Sequence, residues 1–353
     1  MACGIYPVFI KRATPVECIV PAGLYETNRT SGLGLLYPFM EQTAIYDILS
    51  VQPYHAKINA AGHTVGSSGP WPGFLVSNYW WLALTSDEKR GFGSVAPMLC
   101  PTRRGGVQIN DYGSNPADFE TSAQNTNESG YGWNGAGPLG DYAFVFGVTG
   151  DPRPVGATWW FQAVDIPNSV HRAVRSPFRK ADHTLSGGKV IWSPSDTFAR
   201  CTDGLSNQFF IGEKHIPIGR LGQCPNMHPF TSATAAQARN AGDCSYLQVG
   251  YVKSIWSGRA LVTLAASAQA NAGFTVDVEY VMPLSRPDDF SLDAGAAHWT
   301  NSALTWMSFG GWHPGVCNFV LGDGAVRGVS VTTSEAVLRA FALVDDGASV
   351  SLP

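Results

Sequence analysis

The chain runs to 353 residues, of which 44% are hydrophobic, enough to bury a sizeable core and too many for a disordered polypeptide. Charged residues are only 14%, against roughly 25% in average soluble proteins. The surface is therefore dominated by Ser, Thr, Asn, Gln and Gly. A net charge of -4 leaves no electrostatic footprint for nucleic acid or an anionic membrane, and both are set aside as partners.

In chain order, the segment from Met1 to Cys18 lacks the charged, apolar and small-residue regions of a secretory signal, so no export signal is visible. After Pro38, the run FMEQTAIYDILS carries Glu41, Ile45, Ile48 and Leu49 at amphipathic spacing and predicts a short helix. The longest apolar stretch, Phe74 to Leu84, is interrupted by Ser77 and Asn78. It falls well short of the roughly 20 residues a membrane-spanning helix needs. Three polar stretches, Gly105 to Gly140, Asp151 to Ser186 and Arg220 to Asn271, read as long loop insertions in one elaborated domain covering residues 1–353. No internal repeat is visible.

Between these stretches, TWWFQAVDI, GKVIWS, QFFIGEK, GFTVDVEYVM, CNFVLG and AVRGVSVTT are β-branched or aromatic runs bounded by turn residues, and each predicts a strand. Asp323-Gly324 falls between the last two and predicts a tight type I′ hairpin, with Cys317, Phe319 and Leu321 on one face and Val316, Asn318 and Val320 on the other. His313 and Asp323 would then stand about 30 Å apart, at roughly 3.3 Å per residue along one strand. Thr332 and Glu335 read as a capping box ahead of AVLRAFAL, whose Val337, Leu338, Phe341 and Ala342 share a helical face. Few helices among many strands make an α+β protein dominated by antiparallel sheet.

Seven cysteines occur without a C-x-x-C pair, which removes zinc-ribbon and thioredoxin-like chemistry. Low charge and an odd cysteine count fit an exported chain with up to three disulfides and one thiol left over. Cys224 and Cys244, flanking a loop-like stretch, are the first candidates for a bridge; Cys317, inside a predicted strand, is the candidate free thiol.

Five segments resemble, in order, a known family. Gly34 to Tyr46 is similar to its "LLPYLEQ…LY" segment, Pro97 to Pro101 to "F-x-C-P", and Gly140 to Ala143 to "DYA". Thr202-Asp203-Gly204-Leu-Ser206-Asn207 through Gly212-Glu213-Lys214 resembles "TDGTSNT…GEK", and His313, nine residues, then Asp323-Gly324 resembles the closing H-x9-D-G signature. The family is that of exported, planctomycete-type proteins of unknown function related to prepilins and pseudopilins. The resemblance implies a pilin-like head and a non-enzymatic structural subunit of a homo-oligomeric extracellular or cell-surface assembly. It also assigns His313, Asp323, Gly324, Asp203, Gly204, Asn207 and Glu213 to structural motifs. Such proteins begin with a prepilin leader and a long apolar helix. Met1 to Glu17 stands in that place here, so association is expected through contacts between globular heads.

The residues themselves leave alternatives open. Asp203, Glu213 and Asp323 are oxygen donors of the kind calcium takes, although no EF-hand spacing surrounds them, and turn formation accounts for the first and last. No other cofactor is suggested. His313 with Asp323 would form the centre of a hydrolase or metalloenzyme, but no G-x-S-x-G elbow, H-E-x-x-H or G-x-G-x-x-G supports catalysis. Ser186-Gly-Gly-Lys189 lacks the spacing of a phosphate loop and reads as a hairpin. Eleven tryptophans, with the pairs Trp80-Trp81 and Trp159-Trp160, offer the main competing function, a cell-surface carbohydrate-binding module for surface glycans.

Overall fold

The computed structural model describes residues 17–19, 33–50, 84–110, 137–145, 148–149, 177–178, 182–186, 189–193, 197–219, 221–222, 243, 245–247, 258–259, 262–267, 275–281, 284–288, 308–344, 347–348 and 350–352. Among them are thirteen strands: β1 (Glu17–Ile19), β2 (Ile109–Asn110), β3 (Gly137–Pro138), β4 (Tyr142–Val145), β5 (Val148–Thr149), β6 (Asp182–Ser186), β7 (Lys189–Ser193), β8 (Phe209–Glu213), β9 (Gly258–Arg259), β10 (Val262–Ser267), β11 (Thr275–Val281), β12 (Val316–Leu321) and β13 (Val326–Ser330). The α-helices are α1 (Thr43–Ser50), α2 (Ser86–Gly93) and α3 (Glu335–Ala342). No helix among the described residues is long and apolar enough to cross a membrane. The fold is α+β and dominated by antiparallel sheet.

The principal sheet has the order β13-β12-β8-β4-β9, antiparallel throughout except for the short parallel pair β4 and β9. Strand β12 alternates as its sequence predicts: Cys317, Phe319 and Leu321 are buried, while Val316, Asn318 and Val320 are half-exposed. The Phe319 ring stacks on Phe209 of β8 at 4.3 Å between centroids, and Phe209 stacks on Phe341 of α3 at 4.8 Å. Leu338, Ala342 and Leu343 close the same apolar cluster. Helix α3 thus covers one face of the sheet, because its apolar residues recur at helical spacing. Smaller sheets are formed by β1-β7-β6, β11-β10-β5 and the pair β2-β3.

The predicted strands at GKVIWS, QFFIGEK, GFTVDVEYVM, CNFVLG and AVRGVSVTT correspond to β7, β8, β11, β12 and β13. TWWFQAVDI lies outside the described residues. So does most of each predicted insertion, although both ends of the Gly105 to Gly140 stretch are described and are joined by the pairing of β2 with β3.

Three local expectations need correction. A 3-10 helix, Gly34–Met40, accommodates Pro38, and Glu41 turns left-handed at φ 60°. Glu41 therefore terminates one element, and α1 begins only at Thr43. At the carboxyl end the residue capping α3 is Ser334, so Glu335 is the first helical residue and the box with Thr332 is not formed. A capping box does form at α2, where Thr85 Oγ1 accepts from the Glu88 amide and Glu88 Oε2 accepts from the Thr85 amide. That helix carries no apolar periodicity to predict it, since Ser86–Gly93 holds two glycines and Phe92 as its one large apolar residue.

The third correction concerns the hairpin. Leu321 N–H donates to Ala325 O at 2.8 Å and Gly324 N–H donates to Leu321 O at 3.0 Å, which makes Gly322-Asp323-Gly324 a three-residue loop. Gly324 has φ 88°, whereas Asp323 has no positive φ, so the turn is not type I′. Asp323 Oδ1 instead accepts from the Ala325 amide at 2.9 Å. No atom crowds the missing Cβ of Gly324, so its requirement is conformational alone. Gly324→Val is expected to cost about 1–3 kcal/mol; a urea midpoint equal to that of the unaltered chain would refute this role.

Candidate functional site

Two chains of polar contacts meet at one end of the principal sheet. Arg103 and Arg104 leave the loop after Cys100 and reach the buried carboxylate of Asp141, the residue before β4. Arg103 Nη1 donates to Asp141 Oδ1 at 3.0 Å and Arg104 Nε to the same oxygen at 2.9 Å, while Oδ2 accepts from the Cys100 amide at 2.8 Å. Arg104 also bridges to Asp243 at 2.7 Å, and Asp243 faces Lys214 Nζ at 3.6 Å. Arg103 Nη2 donates to Gly310 O at 3.0 Å, and its guanidinium lies 5.7 Å from the centroid of the Trp312 ring. Burial alone would raise the Asp141 carboxyl. The hydrogen bonds and charge of Arg104, the charge of Arg103 and the Cys100 amide outweigh it and hold the group below the usual carboxylate range.

The second chain starts at Glu213, the last residue of β8, whose side chain is 1% exposed. Its Oε2 accepts from the Asn318 amide of β12 at 2.8 Å, so one carboxylate oxygen is fixed by the neighbouring strand. The other oxygen, Oε1, lies 3.0 Å from His313 Nε2. Gly311 permits this placement: a Cβ there would come within 2.5 Å of Glu213 Oε2 and 3.0 Å of Val316 O. His313 Nε2 is also 3.5 Å from Cys100 Sγ and 3.5 Å from Thr102 Oγ1, and the last two atoms are 2.9 Å apart. Cys100, Glu213 and His313 form a group whose donor atoms all lie within 4.8 Å of one another.

This geometry differs from a nucleophile relay. A cysteine activated by histidine addresses one ring nitrogen while a carboxylate orients the other. Here thiol, hydroxyl and carboxylate all converge on the same Nε2. Burial pushes the Cys100 thiol up, with Glu213 adding to the effect against hydrogen bonds from Thr102, so the thiolate is disfavoured. Tyr142, one residue from Asp141, is pushed up to about 12 by burial and by the charges of Cys100, Glu213 and Asp141.

The sequence-predicted residues scatter around this centre. His313 and Glu213 are brought together, and Asp323 is not with them: it stands exposed beyond the far end of β12, which removes the His313 and Asp323 pairing as one site. The calcium set is not assembled either. Asp203 accepts from the Gly347 amide at 3.2 Å, Asn207 donates to Asp203 O at 2.8 Å, and Gly204, at φ 94°, opens the turn between them. Cys224 and Cys244 lie outside the described residues, as do Trp80-Trp81 and Trp159-Trp160; Cys317 carries a buried, free thiol in β12. Cys100, Thr102, Arg103, Arg104 and Asp243 were missed as site residues. The only hint of them was that Cys100 falls in a segment matching the family pattern.

Residues 12–335 match the family described as "Protein of unknown function (DUF1559)", and the chain belongs to that family. Neither the curated proteins nor the solved structures contain a match to the chain.

Proposed function

From membership of that family as the premise, we propose that the chain is a non-enzymatic structural subunit, exported and assembled through head-to-head contacts into a homo-oligomeric extracellular or cell-surface filament, tube or sheet. The resemblance of five ordered segments to prepilin-related proteins supports this reading, as does a surface poor in charge. The observation that carries it is where four polar residues of those segments go, apart from the cluster of Cys100, Glu213 and His313. Asp141, Asp203, Asn207 and Asp323 all spend their side chains on backbone or guanidinium groups of their own fold. Residues used in this way hold a scaffold together.

Carbohydrate binding remains the second reading, on tryptophan content. Trp312 does not add to it: its Nε1 donates to Ile216 O at 2.8 Å, which ties the indole to the loop after β8. Electron microscopy of the protein purified from its native source, without reducing agent or chelator, tests the structural proposal. Ordered filaments, tubes or sheets are expected. A monodisperse monomer under all near-native conditions overturns the proposal, and glycan-array binding would then support the second reading.

A further inference from the structure

We propose that Cys100, Glu213 and His313 form a zinc site, with the Thr102 hydroxyl hydrogen-bonded to the ligating sulfur. The inference is independent of the assembly proposal. Zinc takes thiolate sulfur at about 2.3 Å, imidazole nitrogen at about 2.0–2.1 Å and carboxylate oxygen at about 2.0–2.2 Å in tetrahedral geometry. Those bond lengths place sulfur about 3.5 Å from nitrogen and nitrogen about 3.4 Å from oxygen. Here Cys100 Sγ is 3.5 Å from His313 Nε2, the separation an ion imposes, while Glu213 Oε1, at 3.0 Å from the same nitrogen, has to draw back by about 0.4 Å to admit the ion.

The donor set selects the metal class. Calcium and magnesium take oxygen ligands, whereas one sulfur, one nitrogen and one oxygen suit a borderline-soft divalent ion. A thiolate and a carboxylate together neutralise its charge. The supporting shell is already in place: the Asn318 amide fixes Glu213 Oε2 and leaves Oε1 toward the cluster, and the Asp141 carboxylate holds the Cys100 amide. Thr102 Oγ1, 2.9 Å from the sulfur, is positioned to donate to the thiolate. The His313 side chain is 25% exposed, which opens a path for the ion and leaves the fourth position to water. The three ligands come from the loop after α2, from β8 and from the turn before β12, so they converge only in the folded chain.

The test is titration of the chelator-treated, desalted full chain with cobalt(II) chloride and then with zinc chloride. One cobalt per chain is expected, with a sulfur-to-cobalt charge-transfer band and the intense visible bands of a four-coordinate site, all erased by zinc. Zinc should also protect the Cys100 peptide from alkylation by iodoacetamide, read by mass spectrometry. Thr102→Val should weaken binding by about 10- to 100-fold, as loss of a hydrogen bond to a metal ligand does. Cys100→Ser and His313→Gln should weaken it further, and Cys100→Ser should abolish the charge-transfer band. No thiolate band in the folded, unaltered chain, or a band that survives Cys100→Ser, overturns the site. Should the variants fail to fold, the footprint on the unaltered chain decides, and alkylation of Cys100 at the same rate with and without zinc overturns it.

Discussion

Asp141→Asn is expected to destabilise the fold by about 3–5 kcal/mol, the usual cost of removing one partner from a buried ion pair. The carboxylate is fully buried and accepts from Arg103, Arg104 and the Cys100 amide. The asparagine amide keeps the shape but leaves two buried guanidinium groups facing a neutral partner, with Asp243 compensating only Arg104. The sign with pH follows from linkage. The folded carboxyl titrates below its unfolded value of about 3.9, so its contribution is fully present above that pH and is lost as pH falls through the lower, folded value. Urea unfolding should therefore show the unaltered chain losing stability on acidification while the Asp141→Asn protein loses less. Equal stabilities at neutral pH would sink the assignment.

Phe209→Ala should cost about 3–5 kcal/mol, in the range for truncating a buried aromatic side chain. Phe209 is wholly buried and its ring is stacked by Phe319 on one neighbouring element and Phe341 on another. Its loss therefore opens a cavity at the junction of β8, β12 and α3, where rigid elements on both sides limit collapse. A cycle with Phe341→Leu should report a coupling of about 0.5–1.5 kcal/mol beyond area burial. Val326→Ser, at a site 65% exposed, should fall within about 0.5 kcal/mol of the unaltered chain. Comparable losses at Phe209 and Val326 would mean that the core lies elsewhere.

The elements read most directly from sequence are those whose pattern repeats within a few residues. Val316 to Leu321 sorts its residues onto two faces at a period of two, Val337, Leu338, Phe341 and Ala342 recur at helical spacing, and both patterns survive in the structure. The misread details are those in which two local signals compete. Glu41 fits a helical pattern but lies at φ 60°, because Pro38 is housed in a separate 3-10 turn that must end before α1 begins. Asp323-Gly324 suits a two-residue hairpin, yet pairing of Leu321 with Ala325 adds Gly322 to the loop and relieves Asp323 of positive φ.

The sequence alone determined that this is a charge-poor, sheet-dominated α+β chain and which residues of β12 share a face, because strand periodicity and turn chemistry act between near neighbours in the chain. Only the tertiary structure decided that Glu213 faces His313 and Cys100, and that Asp141 gathers Arg103 and Arg104. Those partners are set by the register of β8 against β12 and β4 and by the burial that register imposes. A buried carboxylate must find a cation or donor, but which one reaches it depends on strands that are remote in sequence.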